Sequence, residues 1–123
     1  MDSAQLSFPA LTATLKAAGE ATRLRLLMLI AEAELTVSDL TAIVRQSQPR
    51  LSRHLRLLAE AGLVERYREG SWVFFRLGER GSAADIARAL IARLDPNDPA
   101  VARDRERLAA VRVMTRPVSV RSV

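Results

Sequence analysis

The chain contains no cysteine, one histidine and few aromatic residues, which make up 4% of its 123 residues. Without cysteine it forms no disulfides, thiolate metal sites or thiol redox sensors. No apolar run approaches the roughly 20 residues that a membrane-spanning helix needs, and the first residues, MDSAQLSF, lack the basic start and cleavage site of a signal peptide. We therefore expect a cytoplasmic protein with one main domain, no membrane partner, no metal and no cofactor.

Lysine is also nearly absent, because 18 of the 19 basic residues are arginines. The net charge is +5, but it is unevenly distributed: residues 1–44 carry three basic and five acidic groups, whereas residues 45–80 carry eight and four. The planar guanidinium group of arginine binds phosphate in a bidentate geometry, with two parallel hydrogen bonds. The middle third therefore predicts a surface for an anionic partner, although a basic helix face is often only solvated.

Helical periodicity dominates the first half of the chain. Two amphipathic helices are predicted before residue 34, and a third begins at a capping box formed by Thr36 and Asp39. After a very short turn, Ser47 or Gln48 caps a fourth helix that ends before Gly62. Two helices joined by such a short turn are typical of a helix-turn-helix.

The periodicity then changes to that of a β-hairpin. The segments LVERYR and WVFFRL flank the turn Glu69-Gly70-Ser71, and Trp72, Phe74 and Phe75 are predicted to supply core and cross-strand packing rather than base stacking. A capping box of Ser82 and Asp85 predicts another helix, which DPNDP ends. A short Arg-rich helix over residues 101–112 and an unstructured tail are expected to follow.

This order of elements predicts a mainly α-helical protein with a β-hairpin wing, a winged helix-turn-helix. Residues 1–95 are expected to form the DNA-binding and dimerisation domain, and residues 96–123 a proline-containing linker, the short helix and the tail. Phe8, Leu11 and Leu15, together with Ile86, Leu90 and Leu94, supply more apolar surface than one small core covers. These six residues are the predicted homodimer interface.

The fourth helix has two distinct faces. Leu51, Leu55 and Leu58 fall on one side, and Ser52, Arg53 and Arg56 on the other. A recognition helix needs this division, because apolar groups fix it to the domain while polar groups reach bases and phosphates of double-stranded DNA.

Three further residues outside that division have predicted roles. Arg66 and Arg68 of the hairpin are candidates for phosphate contacts. His54, at the edge of the leucine face, is predicted to pack and form a hydrogen bond rather than to bind metal or act in catalysis.

The chain from about residue 11 to residue 94 resembles the ArsR/SmtB family of bacterial repressors. GEATRLRLLMLI is similar to the family's second helix, SQPRLSRHLRLLAEAGLV to its recognition helix, and REGSWVFFRL to its wing. The resemblance implies a homodimer that binds an imperfect palindrome and releases it when an effector binds. It implies DNA contacts at Gln48, Arg50, Ser52, Arg53 and Arg56.

The chain departs from the family's metal sensors. They read ELCVCDL at the third helix, where this chain reads ELTVSDL, and hydroxyls are poor ligands for soft metals. The last family helix, which holds His and carboxylate ligands in other members, here contains Asp85 alone. The usual glycine between the helices is replaced by Val44-Arg45-Gln46. An effector, if one exists, is therefore expected to be a small organic molecule.

Two alternatives to a DNA-binding regulator remain open. A winged helix also serves as a protein-interaction module, although that role gives no reason for the arginine face. Residues 95–112 resemble the linker in proteins that fuse such a regulator to an S-adenosylmethionine-dependent methyltransferase, so the chain is alternatively a remnant of such a fusion. An enzyme is the weakest hypothesis, because the sequence offers no paired acid and base and no phosphate loop.

Overall fold

The computed structural model describes residues 5–78 and 81–115, and this part of the chain folds into six α-helices and one β-hairpin. The helices before the hairpin are α1 (Phe8–Ala18), α2 (Ala21–Glu32), α3 (Val37–Val44) and α4 (Gln48–Glu60). The remaining elements are β1 (Val64–Glu69), β2 (Trp72–Leu77), α5 (Ser82–Ile91) and α6 (Pro99–Thr115). This confirms the predicted winged helix-turn-helix.

The helix-turn-helix begins where the sequence indicated. The hydroxyl of Thr36 accepts the N–H of Asp39 at 3.1 Å, and the Asp39 carboxylate accepts the N–H of Thr36 at 3.0 Å, so the predicted capping box is present. Ser47 caps α4 by accepting the N–H of Arg50, and Pro49 lies in the first turn. Both helix starts are set by side chains within three residues of the helix, which explains why the sequence predicts them.

Arg45 forms the turn between α3 and α4 in a left-handed conformation, with φ 63° and ψ 45°. Its N–H donates to Thr41 O at 2.8 Å and ends α3. Glycine adopts this conformation without the steric cost that a Cβ imposes. The missing family glycine therefore leaves the fold of the turn intact, and arginine takes the strained position.

The hairpin is antiparallel and pairs Val64 with Leu77 and Glu69 with Trp72. Leu35 extends it by a bridge to Phe75, which is buried. The ring of Phe74 stacks on that of Tyr67 across the strands, with centroids 5.6 Å apart.

Core and cross-strand packing are confirmed for Phe75 and Phe74, but core packing is wrong for Trp72, half of whose surface is exposed. Trp72 is the first residue after the turn, at the tip of the hairpin and at the end of β2 away from the bridge to Leu35.

Two predictions about the C-terminal part need correction. Helix α5 begins at Ser82 with Gly81 as its N-cap, so the predicted N-cap position of Ser82 is wrong by one residue. A serine caps from the residue before the helix, and here the helix has already started. Helix α6 is longer than predicted and includes residues 113–115, which were expected to be unstructured; residues 116–123 lie outside the described part of the chain.

One hydrophobic core holds the helices together. It is built on α2, where Leu26, Leu27 and Leu29 are fully buried, and it reaches Val101 and Leu108 of α6. The last helix thus packs on the winged helix. Within the described residues, no helix is long and apolar enough to cross a membrane.

Candidate nucleic-acid interface

Helix α4 separates its apolar and polar residues onto opposite faces. Leu51, Leu55 and Leu58 are at most 1% exposed and pack in the core. The residues predicted to contact DNA are all exposed on the remaining surface: Gln48, Arg50, Ser52, Arg53 and Arg56. Arg56 has an acidic neighbour on the helix, with Glu60 at 4.0 Å, and both side chains are two-thirds exposed. A pair that exposed is weak and leaves the guanidinium available for other partners.

An open groove of about 690 Å³ lies at the N-terminus of this helix. It is lined by the start of α2, the α3–α4 turn and the first two turns of α4: Glu20, Thr22, Gln46, Ser47, Pro49, Arg50, Arg53 and His54. The amide of Gln46 donates to the Thr22 hydroxyl at 2.9 Å and ties the turn to α2. A helix N-terminus with two adjacent arginines is electrostatically suited to a phosphate.

His54 is one of the residues that line the groove, and its side chain is 17% exposed. Its Nδ1 lies 3.1 Å from Nη1 of Arg23, which also donates from Nε to Ala17 O at 2.6 Å. A guanidinium only donates, so Nδ1 accepts and the ring is neutral with its proton on Nε2. Burial lowers the pKa of His54, and so do the nearby arginines, while Glu20 opposes them.

This environment of His54 agrees with the packing and hydrogen-bonding role that the sequence predicts. The contact through Arg23 also fastens α4 to the junction of α1 and α2.

The wing lies next to the recognition helix, because β1 packs against α4. Arg66 and Arg68 are exposed on β1. Between them, the Tyr67 hydroxyl donates to Glu34 in the segment that joins α2 to α3, and the Arg76 guanidinium lies 4.4 Å above the Tyr67 ring. The hydrogen bond to Glu34 joins β1 to the rest of the domain, so the two arginines are carried on an anchored strand.

The predicted dimer residues fall into two groups. Phe8, Leu11 and Leu15 of α1 are 84%, 39% and 47% exposed, which is unusual for large apolar side chains. Ile86, Leu90 and Leu94, in and just after α5, are half-buried. Helices α1 and α5 pack against each other, so the six residues belong to neighbouring elements.

Sequence reasoning missed a basic cluster where α6 meets the helix-turn-helix. Arg107 of α6 donates from Nη1 to the carbonyl of Ile43 at 3.0 Å, two residues before Arg45. The fully buried Asp104 carboxylate is held by Arg25 at 2.7 and 2.9 Å and has Arg103 at 4.0 Å. The arginine spacing in α6 was the only available signal, and without a position for α6 it did not indicate a surface.

Metal ligands are sparse in the described part of the chain. No group of three or more His, Asp or Glu residues there is arranged to hold a metal ion. Ser38 and Thr36 stand where the family's metal sensors have cysteines. The Ser38 side chain is exposed, whereas the Thr36 hydroxyl is buried and is used in the capping box.

The sequence model of the arsR family of bacterial regulatory proteins matches residues 20–66, from the N-cap of α2 into β1. The crystal structure of the transcriptional repressor BigR from Xylella fastidiosa is 33% identical, with a TM-score of 0.62 over 68% of this chain and 82% of that one. The chain belongs to the ArsR family.

This ArsR-family chain is also similar to two other bacterial regulators. The arsenic resistance transcriptional regulator ArsR1 of Pseudomonas putida is 48% identical over 63 residues, which are 50% of this chain and 49% of that protein. The homodimeric winged helix-turn-helix DNA-binding domain of Mb0332 from Mycobacterium bovis is 28% identical, with a TM-score of 0.60 over 73% and 84% of the two chains. The chain spans about half the length of the curated arsenic-resistance regulators that it matches.

Proposed function

We propose that this ArsR-family protein is a transcriptional repressor that binds a palindromic operator in double-stranded DNA as a homodimer. The observation that carries the proposal is the exposed arginine face of α4, opposite three buried leucines, in the second helix of a helix-turn-helix. The apolar side of this helix packs in the core, so its three exposed arginines face outward, where they suit the phosphates of an anionic partner. A protein-interaction module would not require them.

In this function α4 enters the major groove. Arg50, Arg53 and Arg56 extend planar forks that suit guanine edges and phosphates, and Gln48 and Ser52 offer shorter polar contacts. The anchored wing brings Arg66 and Arg68 to the neighbouring backbone, where phosphate contact fixes orientation without reading sequence.

The homodimer rests on the apolar surface of α1 and α5. Exposed Phe8, Leu11 and Leu15 are stabilised when a second copy covers them. A two-fold dimer places two α4 helices about one turn of DNA apart, roughly 34 Å, which explains why the operator is proposed to be palindromic. The homodimeric Mb0332 domain supports this assembly.

The proposed effector is an organic metabolite rather than a metal. Thr36 and Ser38 stand where other family members have thiolates; the buried Thr36 hydroxyl is engaged in the capping box, and exposed Ser38 offers only a hydroxyl, a poor ligand for soft metals. A ligand switches the protein only if it binds the free and DNA-bound forms differently, and these two side chains supply no site that discriminates between them. The alternative is that the protein has no effector and that its occupancy of the operator is set by its expression level alone.

The test is fluorescence anisotropy with DNA from upstream of the protein's own gene, for wild type and Arg53→Ala. We expect the specific affinity to fall by about 5- to 150-fold, because a good bidentate base contact contributes about 1–3 kcal/mol. Arg105→Ala is the matched control, since it removes the same charge from an α6 side chain that pairs with Glu32 at 2.6 Å. Folded protein that does not bind DNA at low salt would support the interaction module instead.

A further inference from the structure

A second basic surface borders the recognition helix. It consists of Arg45, Arg103 and Arg107, called here the turn arginines. Arg107 is placed by its 3.0 Å hydrogen bond to Ile43 O at the end of α3, and Arg45 follows two residues later in the α3–α4 turn. Arg103 lies one helical turn before Arg107 on the same side of α6. Helix α6 thereby adds cations to a turn that already carries one.

The positive charge of this surface exceeds the negative charge beside it. Asp104 lies 4.0 Å from Arg103, but it is fully buried and both of its oxygens already accept from Arg25. The segment from residue 40 to residue 59 contains four arginines and no acidic residue. Partial burial lowers the pKa of Arg107, and the fields of Arg45, Arg103 and Arg25 act in the same direction against that of Asp104.

The turn arginines are continuous with the recognition surface. Arg45 directly precedes Gln46 and Ser47, which line the groove at the N-terminus of α4. In a helix-turn-helix on DNA, the first helix crosses the sugar–phosphate backbone while the second enters the groove. Cations at the end of α3 therefore lie on the side where that backbone passes.

We propose that the turn arginines bind phosphates of the DNA backbone next to the major groove that α4 reads, so that α6 is a part of the DNA-binding surface. This inference rests on the proposed function. Backbone contacts add affinity and salt dependence but carry no sequence information. Helix α6 therefore strengthens binding to operator and to unrelated DNA by similar factors.

The test compares wild type with the double variant Arg45→Gln, Arg103→Gln in anisotropy titrations at several salt concentrations. Each lost phosphate contact reduces the slope of log K against log salt by about 0.9, so the double variant is expected to lose about 2. Its ratio of specific to non-specific affinity stays unchanged. Arg107 is left intact because it also supports the end of α3.

The matched control is the double variant Arg93→Gln, Arg105→Gln. It removes two charges as well, but Arg93 follows α5 and Arg105 lies about 200° around α6 from Arg103. The inference is overturned if wild type binds DNA and both double variants show the same slope. If wild type itself fails to bind at low salt, the proposed function fails first. Circular dichroism confirms that each variant is folded.

Discussion

Arg25 and Asp104 form a bidentate ion pair that joins α2 to α6, with guanidinium–carboxylate distances of 2.7 and 2.9 Å. The two residues are 79 positions apart in the sequence. The Asp104 carboxylate is fully buried, and the Arg25 side chain is 24% exposed. The side-chain hydrogen bond to Asp104 raises the pKa of Arg25 against the opposing effect of burial. The pair fixes the last helix to the helix that organises the core, and so positions the arginines of α6.

Asp104→Asn is expected to lower the free energy of unfolding by about 2–3 kcal/mol, because it leaves a partly buried guanidinium without its charged acceptor. Urea denaturation followed by circular dichroism measures the change. Glu106→Gln, an exposed substitution on the same helix, is the control and should change stability by less than about 0.5 kcal/mol. Equal effects of the two variants would show that the ion pair does not hold α6.

Arg45→Gly is expected to stabilise the fold. A left-handed residue with a Cβ costs about 1–2 kcal/mol, and the greater freedom of glycine in the unfolded chain offsets part of this. The net gain is about 0.5–1 kcal/mol in the free energy of unfolding. Arg45→Gln keeps both the Cβ and the positive φ, so its stability should match wild type. A destabilised glycine variant would mean that the Arg45 side chain itself holds the turn.

The stability of the fold is expected to decrease in mild acid because of His54. Its pKa is lowered in the fold, first by burial and then by Arg23, Arg53 and Arg50 against the opposing Glu20. The unfolded chain therefore takes up the proton first as the pH falls below the ordinary value of 6.5. The contribution of neutral His54 to the free energy of unfolding is complete above pH 6.5. It is lost as the pH falls toward the lowered pKa of the folded state.

The measurement for His54 is urea denaturation at pH 8 and pH 5. Wild type should lose more stability between these two values than His54→Gln, which has no group titrating there. If both proteins lose the same amount, the pKa of His54 is the same in the folded and unfolded states.

Leu11→Glu should prevent dimerisation. The wild-type protein is expected to sediment at about twice the chain mass of 13.6 kDa, since covering the exposed α1 residues requires a second copy. A charge at Leu11 makes that contact unfavourable. Ala13→Glu is the control: Ala13 is exposed on the same helix but lies about 200° around it from Leu11. A monomeric wild type, or a dimer that survives the Leu11 substitution, would contradict the proposed interface.

Arsenite, zinc, cadmium and peroxide are expected not to release the protein from DNA at micromolar concentration. Arsenite and cadmium bind thiolates, and peroxide-sensing switches oxidise them, but the chain has no cysteine. Zinc also takes His and carboxylate ligands, but no three such groups in the described part of the chain are arranged to hold a metal ion. Anisotropy of the DNA complex is followed during each titration, beside a chelator control. Stoichiometric release by any of the four would refute an organic effector. The arsenite titration is the strictest of these tests, because the arsenic resistance regulator ArsR1 is 48% identical over 63 residues.

The sequence alone determined the elements whose signals are local. Thr36 with Asp39 and Ser47 with Pro49 specify two helix starts, and Gly70 with the flanking alternation specifies the hairpin, because the groups that interact are at most a few residues apart. The faces of α4 follow equally from helical geometry, so the exposed positions of its arginines were predictable.

Tertiary structure decided what depends on distant partners. The exposure of Trp72 depends on where the hairpin tip projects from the rest of the fold, and the position of α6 depends on Asp104 meeting Arg25. Helix α6 has no pronounced apolar face, so its period did not reveal that Val101 and Leu108 would join the core. Contacts between residues 64 and 79 positions apart carry no trace in local spacing, and they alone bring the turn arginines to one surface.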